Sequence, residues 1–505
     1  MDAKRRNILD LIVRMWRRAT TSAFVVGLLS LAWFVFRTGT KPSRAAYPCQ
    51  RVAAANGTAW LATYFLPLLS VTGFVGRNNS WRRKLLTVAV VVLVAAGAAW
   101  LSNGPAPLDA AMVDREVNLV LEGKRATSSP ASDLFVVRGT RGNDGGVSEL
   151  ISLMADAGTL FYRTGEAGPA SGPAGLIAPD DVVLIKVNSQ WDQRGGTNTD
   201  LLRSLIQAIV DHPDGFVGEI VVADNGQAQY GSRGSGGSLD WSRNNAEDRS
   251  QSVQDVANAL AADHKVSAYL WDGITGTHVE EYDAGDAEDG YVVAGTRSPS
   301  TGAASAYPKF RTAYGTHVSF KRGIWDPQRR SYDSDRLKLI NLPVLKPHSI
   351  YGVTACIKHY MGVTSDRLTG TGGASAHYTV GTGGMGTEIA ETRFPTLNIV
   401  DAIWVSLTPG RGPMVYYNDA TRIDVIAAST DPVALDHWCS KYVLMQGAQQ
   451  TGQQSVSVFD PDREVHGSFA QWLRLSMDEL VAAGYRATVD EARMNVYVRE
   501  VEPNP

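Results

Sequence analysis

Lys186, Lys346 and Lys358 are lysines set among apolar residues, where an ammonium group needs a carboxylate or an anionic ligand. Lys186 interrupts the apolar run DVVLIKV at 181–187, and Asn188, two residues on, points to the same face and can orient what Lys186 holds. The segment LPVLKPHSIYGVTACIKH at 342–359 then brings Lys346, His348, Lys358 and His359 together in one short stretch. Lysines beside a histidine that titrates near neutrality can fix a phosphate, a carboxylate or a polarised carbonyl while a proton moves. His348, Lys346 and Asp401 are therefore the candidate catalytic groups. Asp401 lies inside the apolar run at 397–405, so its carboxylate requires a lysine or a metal as partner. Lys186, Asn188, Asp224, Lys358 and His359 are the candidate substrate-binding groups, and His377 is a further histidine able to join them.

Each of these has a plainer reading. Lys186 can be paired only to hold the fold, and Lys358 can complement a helix dipole. Asp431 followed by Pro432 reads as a helix cap with proline in the first turn, which ranks it below Asp401 as a site residue. No two histidines have the helical i, i+4 spacing of a zinc site, and His437 and Cys439 point to different helix faces. A metal held by Asp224, Asp401 and a histidine rests on no local motif, so the metal is unknown. Residues 381–386 satisfy Gly-x-Gly-x-x-Gly, but Pro395 breaks the chain before a crossover helix can form. A glycine-rich lid over 366–386 is the better reading.

The elements that must position these residues follow from periodicity. Strands are expected at 133–138, 181–187, 219–223, 336–341, 397–405 and 423–428. Helices are expected at 147–162, 201–210, 432–445 and 468–483. Near-continuous apolar strands alternating with helices give an α/β fold with a mostly parallel sheet flanked by helices. A helix beginning near Ser349 would carry Lys358 and His359 and aim free N–H groups at an anion. The glycine-serine run at 231–238 reads as a loop and 284–305 as an irregular insertion.

With 505 residues and a net charge of -3, the chain lacks the basic excess of a nucleic-acid binder. Its three cysteines, Cys49, Cys356 and Cys439, form no Cys-x-x-Cys, so no iron–sulfur cluster or disulfide framework is expected from this chain alone. Three apolar stretches, 19–36, 58–76 and 85–101, each approach the ~20 residues needed to cross a bilayer. Basic residues before the first and between the second and third favour the cytoplasm. The expectation is a membrane anchor over 1–101, a linker over 102–131, and an extracytoplasmic α/β domain over 132–505. The expected location is the cell membrane, as a multi-pass protein.

The segments VLIKVN at 183–188, GEIVVAD at 218–224, LPVLKPH at 342–348, GVTACIK at 352–358, IVD at 399–401 and TDPVALD at 430–436 occur in a telling order. In that order the chain resembles the family called domain of unknown function 362, over roughly 133–446. The resemblance implies an α/β domain with a shared polar site and no assigned reaction. Several members pair the domain with ferredoxin-like cysteine motifs, which this chain lacks. The resulting expectation is an enzyme acting on a small anionic or carbonyl-bearing substrate. The alternative is a noncatalytic binding or electron-transfer accessory subunit, with Cys49 beside the first span contacting a membrane redox partner.

Overall fold

The structure, a computed structural model, describes residues 31–33, 117–226, 245–370 and 375–501. The chain divides into two units, Met1–Asp114 and Arg115–Pro505, and nearly all described residues belong to the second.

Eight strands form its central sheet: β1 Ser132–Arg138, β2 Val182–Lys186, β3 Glu219–Asp224, β4 Val266–Leu270, β5 Leu337–Asn341, β6 Leu397–Val405, β7 Thr421–Ser429 and β8 Met494–Glu500. Their spatial order is β8-β1-β7-β6-β5-β2-β3-β4. Strands β6, β5, β2, β3 and β4 run parallel to one another, while β7 is antiparallel to both β6 and β1. From β2 the chain moves outward to β3 and β4, then returns to add β5 on the other side of β2. The winding therefore reverses between β2 and β5. In open α/β sheets a crevice opens beyond the strand ends at such a reversal, and ligands bind there.

Alternation sends the two halves of each strand to different layers. Val183, Ile185 and Val187 join the core under α1 (Gly146–Asp156), α2 (Thr199–Val210) and α3 (Val253–Leu260). Val182 and Leu184, with Leu337 and Leu339 of β5, face the opposite core, so the next residues of that row are Lys186 and Asn341. That second face is covered by α4 (Cys356–His359), α5 (Gly384–Glu391), α6 (Pro432–Cys439) and α7 (Phe469–Ala482). Caps fix several starts: Asn198 accepts from the N–H groups of Asp200 and Leu201, and Asp431 from those of Val433 and Ala434. Asp431 is thus the expected helix cap.

Several expectations require correction. Among the described residues no helix is long and apolar enough to cross a membrane. α7 has 14 residues, or ~21 Å against the ~30 Å of a bilayer core, and the longer helical run 432–450, π-helical over Ser440–Met445, carries Asp436, His437, Lys441 and a glutamine-rich end and is not apolar enough. This corrects the expected architecture of an α/β domain preceded by three transmembrane helices, and with it the multi-pass membrane localisation. The stretches 19–36, 58–76 and 85–101 lie outside the described residues except for 31–33, as does Cys49. Residues 117–131, read as part of a linker, pack on the domain instead: Leu119 and Leu121 are buried, and Lys124 bridges Val496.

The helix expected over 147–162 stops at Asp156, followed by Gly158 at φ 88°. Within the span read as an irregular insertion lies Gly290–Val293, the first strand of a five-stranded antiparallel meander. It continues through Ala306–Arg311, His317–Ser319, Gly323–Asp326 and Ser331–Asp333. No helix begins near Ser349. Lys346–His348 pairs with Gly352–Thr354 as a hairpin that turns through Gly352 at φ 76°, and α4 starts only at Cys356.

Candidate functional site

The ends of β2 and β5 are tied together before any site residue is placed. The Leu342 N–H donates to the Lys186 carbonyl at 2.8 Å, and the Val344 N–H donates to Asn188 Oδ1 at 2.8 Å. Asn188 therefore orients the backbone between Asn341 and Lys346. The Thr197 hydroxyl donates to the Leu342 carbonyl and accepts from the Asn188 N–H, so the loop after β2 is held by both strands.

Lys186, buried, forms an ion pair with Asp224 Oδ1 at 2.7 Å and donates to the Val187 carbonyl at 3.1 Å. Burial pushes its pKa down, against the opposing pull of Asp224. Asp224 Oδ2 accepts from both the N–H and the hydroxyl of Ser189. The backbone of Gly362 lies directly on this pair. A Cβ there would fall 2.1 Å from Asp224 Oδ1 and 2.3 Å from Lys186 Nζ.

Lys346 is buried and donates from Nζ to the Gly195 carbonyl. Burial lowers its pKa to about 7, helped by repulsion from Lys358 and Lys186 and opposed by Asp224 and Asp401. Lys358, 6% exposed, lies with Nζ 5.4 Å from the centre of the Tyr351 ring. Its pKa also falls to about 7, through burial and Lys186, with Asp366 as the opposing charge. Among the described residues neither lysine forms an ion pair or hydrogen bond with a carboxylate, in contrast to Lys186.

Burial keeps the three histidines of this neighbourhood, His348, His359 and His377, neutral near pH 7. His348 Nδ1 accepts from the N–H groups of Ile350 and Tyr351, which places the ring proton on Nε2. Burial, then Lys358, His377 and Lys346, hold its pKa far below the usual histidine range. His359 is likewise pushed down by burial, and its Nδ1 lies 2.7 Å from Asn341 Oδ1. Asn341 Nδ2 donates to the Asn398 amide oxygen and the Cys356 carbonyl, so its own oxygen is the acceptor and His359 Nδ1 the donor. His377, whose ring centre is 6.4 Å from that of His348, is lowered to about 3 by burial and Lys358.

Asp401 stands somewhat apart. Its Oδ2 accepts from the Asn198 N–H and Asn245 Nδ2, its Oδ1 from the Ile403 N–H, and burial raises its pKa to about 6. Arg194, stacked 4.0 Å from the centre of the Trp404 ring, and Lys346 are the cations that act on it.

Of the sequence candidates, Lys186 and Asp224 meet directly, and Lys346, Lys358, His348 and His359 share one electrostatic neighbourhood with them. Asn188 faces backbone, and Asp401 is occupied by backbone and amide donors rather than by a lysine. The expected anion slot at the start of the lysine-bearing helix is filled by the chain itself. The N–H groups of Cys356 and Ile357 donate to the Asp436 carboxylate at 2.6 and 3.0 Å. Gly362, Asn341, Tyr351 and Asp366 escaped the sequence reading. Asn341 carried a usable signal, a polar residue ending an apolar strand, the same signal that picks out Lys186.

Among the described residues, the histidine and carboxylates that come within 4.8 Å of one another are His437, Asp462 and Glu491, remote in sequence from these lysines. There the Lys441 ammonium already lies 2.5 Å from Asp462 and 2.6 Å from Glu491, where it supplies the positive charge. The glycine motif at 381–386 leads into α5 through Gly383 at φ 90°, and no strand immediately precedes it. This is not the context of a dinucleotide fingerprint.

Residues 332–441 match the model of the family described as Domain of unknown function (DUF362). The match takes in Lys346, His348, Lys358, His359 and Asp401. It begins after Lys186, Asn188 and Asp224, so it is narrower than the span over which the resemblance was drawn. No curated protein and no solved structure matches the chain.

Proposed function

We propose that this chain, a member of the DUF362 family, is an enzyme that binds a small anionic or carbonyl-bearing molecule beyond the ends of β2 and β5. The observation that carries the reading is the pair Lys346 and Lys358, buried without a carboxylate partner at the point where the sheet's winding reverses. Burying an ammonium group without a counter-charge is costly, so a fold that retains two of them is explained by a ligand that supplies the charge. The Lys186–Asp224 pair is the scaffold: it is already neutralised and wedged under Gly362.

His348 takes a different part from the one its residue type suggests. Its pKa lies far below neutrality, so near pH 7 it acts as a fixed Nε2–H donor rather than as a base. Beside Asp401, raised to about 6, the site's groups able to exchange a proton near neutrality are the two lysines, each lowered to about 7.

Oxalate, a small dianion without a ketone, tests the binding reading. Calorimetry on the full-length chain at pH 6.5 is expected to show saturable binding that Lys358→Met weakens roughly tenfold or more, the loss of one charge-assisted contact. Equal oxalate affinity in the two proteins would remove Lys358 from the site and the reading with it.

A further inference from the structure

Lys346 is a buried amine held by a peptide carbonyl, two residues from His348 on one strand, with a second lysine as its strongest charged neighbour. Its Nζ donates to Gly195, and the charge acting on it most strongly is Lys358, ahead of Asp224, Lys186 and Asp401. Desolvation beside another cation is the arrangement that keeps a lysine neutral and nucleophilic towards a carbonyl carbon. Lys358, without a hydrogen-bond partner among the described residues, is free to donate to a ligand. His348 presents an Nε2–H in the same neighbourhood.

These three roles narrow the ligand. In a 2-oxo acid the ketone oxygen and one carboxylate oxygen lie side by side, so a single ammonium group can hold both while a separate amine reaches the ketone carbon. Resting on the anion reading above, we propose that the site takes a 2-oxo acid and joins it to Lys346 as an imine.

The neutral Lys346 Nζ attacks the ketone carbon, forming the N–C bond as the carbonyl π pair moves to oxygen. The Lys358 ammonium gives that oxygen a proton, with the His348 Nε2–H hydrogen-bonded to it as negative charge develops. Lys358, now neutral, takes a proton from the positively charged Lys346 nitrogen, leaving a neutral carbinolamine. It then returns that proton to the hydroxyl, which departs as water while the nitrogen lone pair forms the C=N bond. The balance is one amine, one ketone and one proton from Lys358 giving an iminium ion and water. The substrate's own carboxylate then stands as the counter-charge for the buried iminium.

The test is reductive trapping: full-length protein is incubated with pyruvate, reduced with borohydride, digested and mapped by mass spectrometry. Hydride addition to the imine carbon leaves a stable secondary amine. The adduct is expected on Lys346, suppressed by excess oxalate and absent in Lys346→Arg, which keeps a positive charge but cannot form an imine. If calorimetry shows pyruvate bound at an oxalate-competitive site and no adduct forms on Lys346, the imine is overturned while the anion reading stands. An adduct confined to exposed lysines and indifferent to oxalate also overturns it. If neither pyruvate nor oxalate binds, both readings fall together.

Discussion

Lys346→Met is expected to be more stable than the natural chain at pH 6, by several kcal/mol, and to lose that advantage near pH 11. The lysine's folded-state pKa is depressed from 10.5 to about 7. Above 10.5 the amine is neutral both folded and unfolded, and titration favours neither state. As the pH falls from 10.5 towards 7 the unfolded chain takes up the proton first, so the folded state loses stability across that window. Below 7 the loss is complete. Lowering the pKa from 10.5 to about 7 costs on the order of 5 kcal/mol, which methionine, of similar shape, removes. Chemical denaturation of both proteins at pH 6, 8 and 11 reads the effect. A methionine variant destabilised equally at all three would show that Lys346 is held by a structural partner rather than kept available for a ligand.

Gly362→Ala should be among the most damaging conservative changes in the domain. Its new methyl group would stand 2.1 Å from Asp224 Oδ1 and 2.3 Å from Lys186 Nζ. Neither group can move into solvent, since their side chains are 3% and 1% exposed. The Asn225 N–H also donates to the Gly362 carbonyl at 2.9 Å, which fixes the turn against β3. Either the ion pair separates, leaving a buried charge uncompensated, or the turn lifts off the strand ends. Breaking a buried pair typically costs ~3–5 kcal/mol. Equilibrium unfolding at pH 7.5 measures this directly. A loss below ~0.5 kcal/mol, the range of ordinary surface substitutions, would mean that the turn is not seated on the pair.

The parallel core is legible in sequence because strands buried on both faces read as unbroken apolar runs, and β6 occupies the very run at 397–405 that predicts it. The antiparallel meander is not. Its strands are short, and Ser331–Asp333 carries polar residues that a hydrophobic pattern cannot register. In the site, Lys186 and Lys346 stand out as charges in apolar surroundings, yet their difference is invisible in sequence. One meets Asp224 across a neighbouring strand, and the other meets only a carbonyl from the loop after β2. Gly362 gives no local signal, because its necessity arises from two side chains far away in the chain. Asp436 reads as part of a helix, and only the tertiary fold turns its carboxylate onto the start of α4. The apolar stretches before residue 102 lie outside the described residues apart from 31–33, and no described helix supports the spans that a length criterion suggests.

The central claim is that Lys346 and Lys358 are charges kept for a ligand, and the pH dependence of anion binding tests it most directly. Oxalate is a dianion throughout the range from pH 6 to 9, so only the protein's groups change. Both lysines are protonated below about 7 and neutral above it, with Lys186, Asp224, Asp366 and Asp401 as the surrounding charges. Calorimetric titration of the full-length chain should therefore show oxalate affinity falling at least ~tenfold, or ~1.4 kcal/mol, as the pH rises from 6 to 9. An affinity that is flat across this range, or no binding at pH 6, would contradict the account.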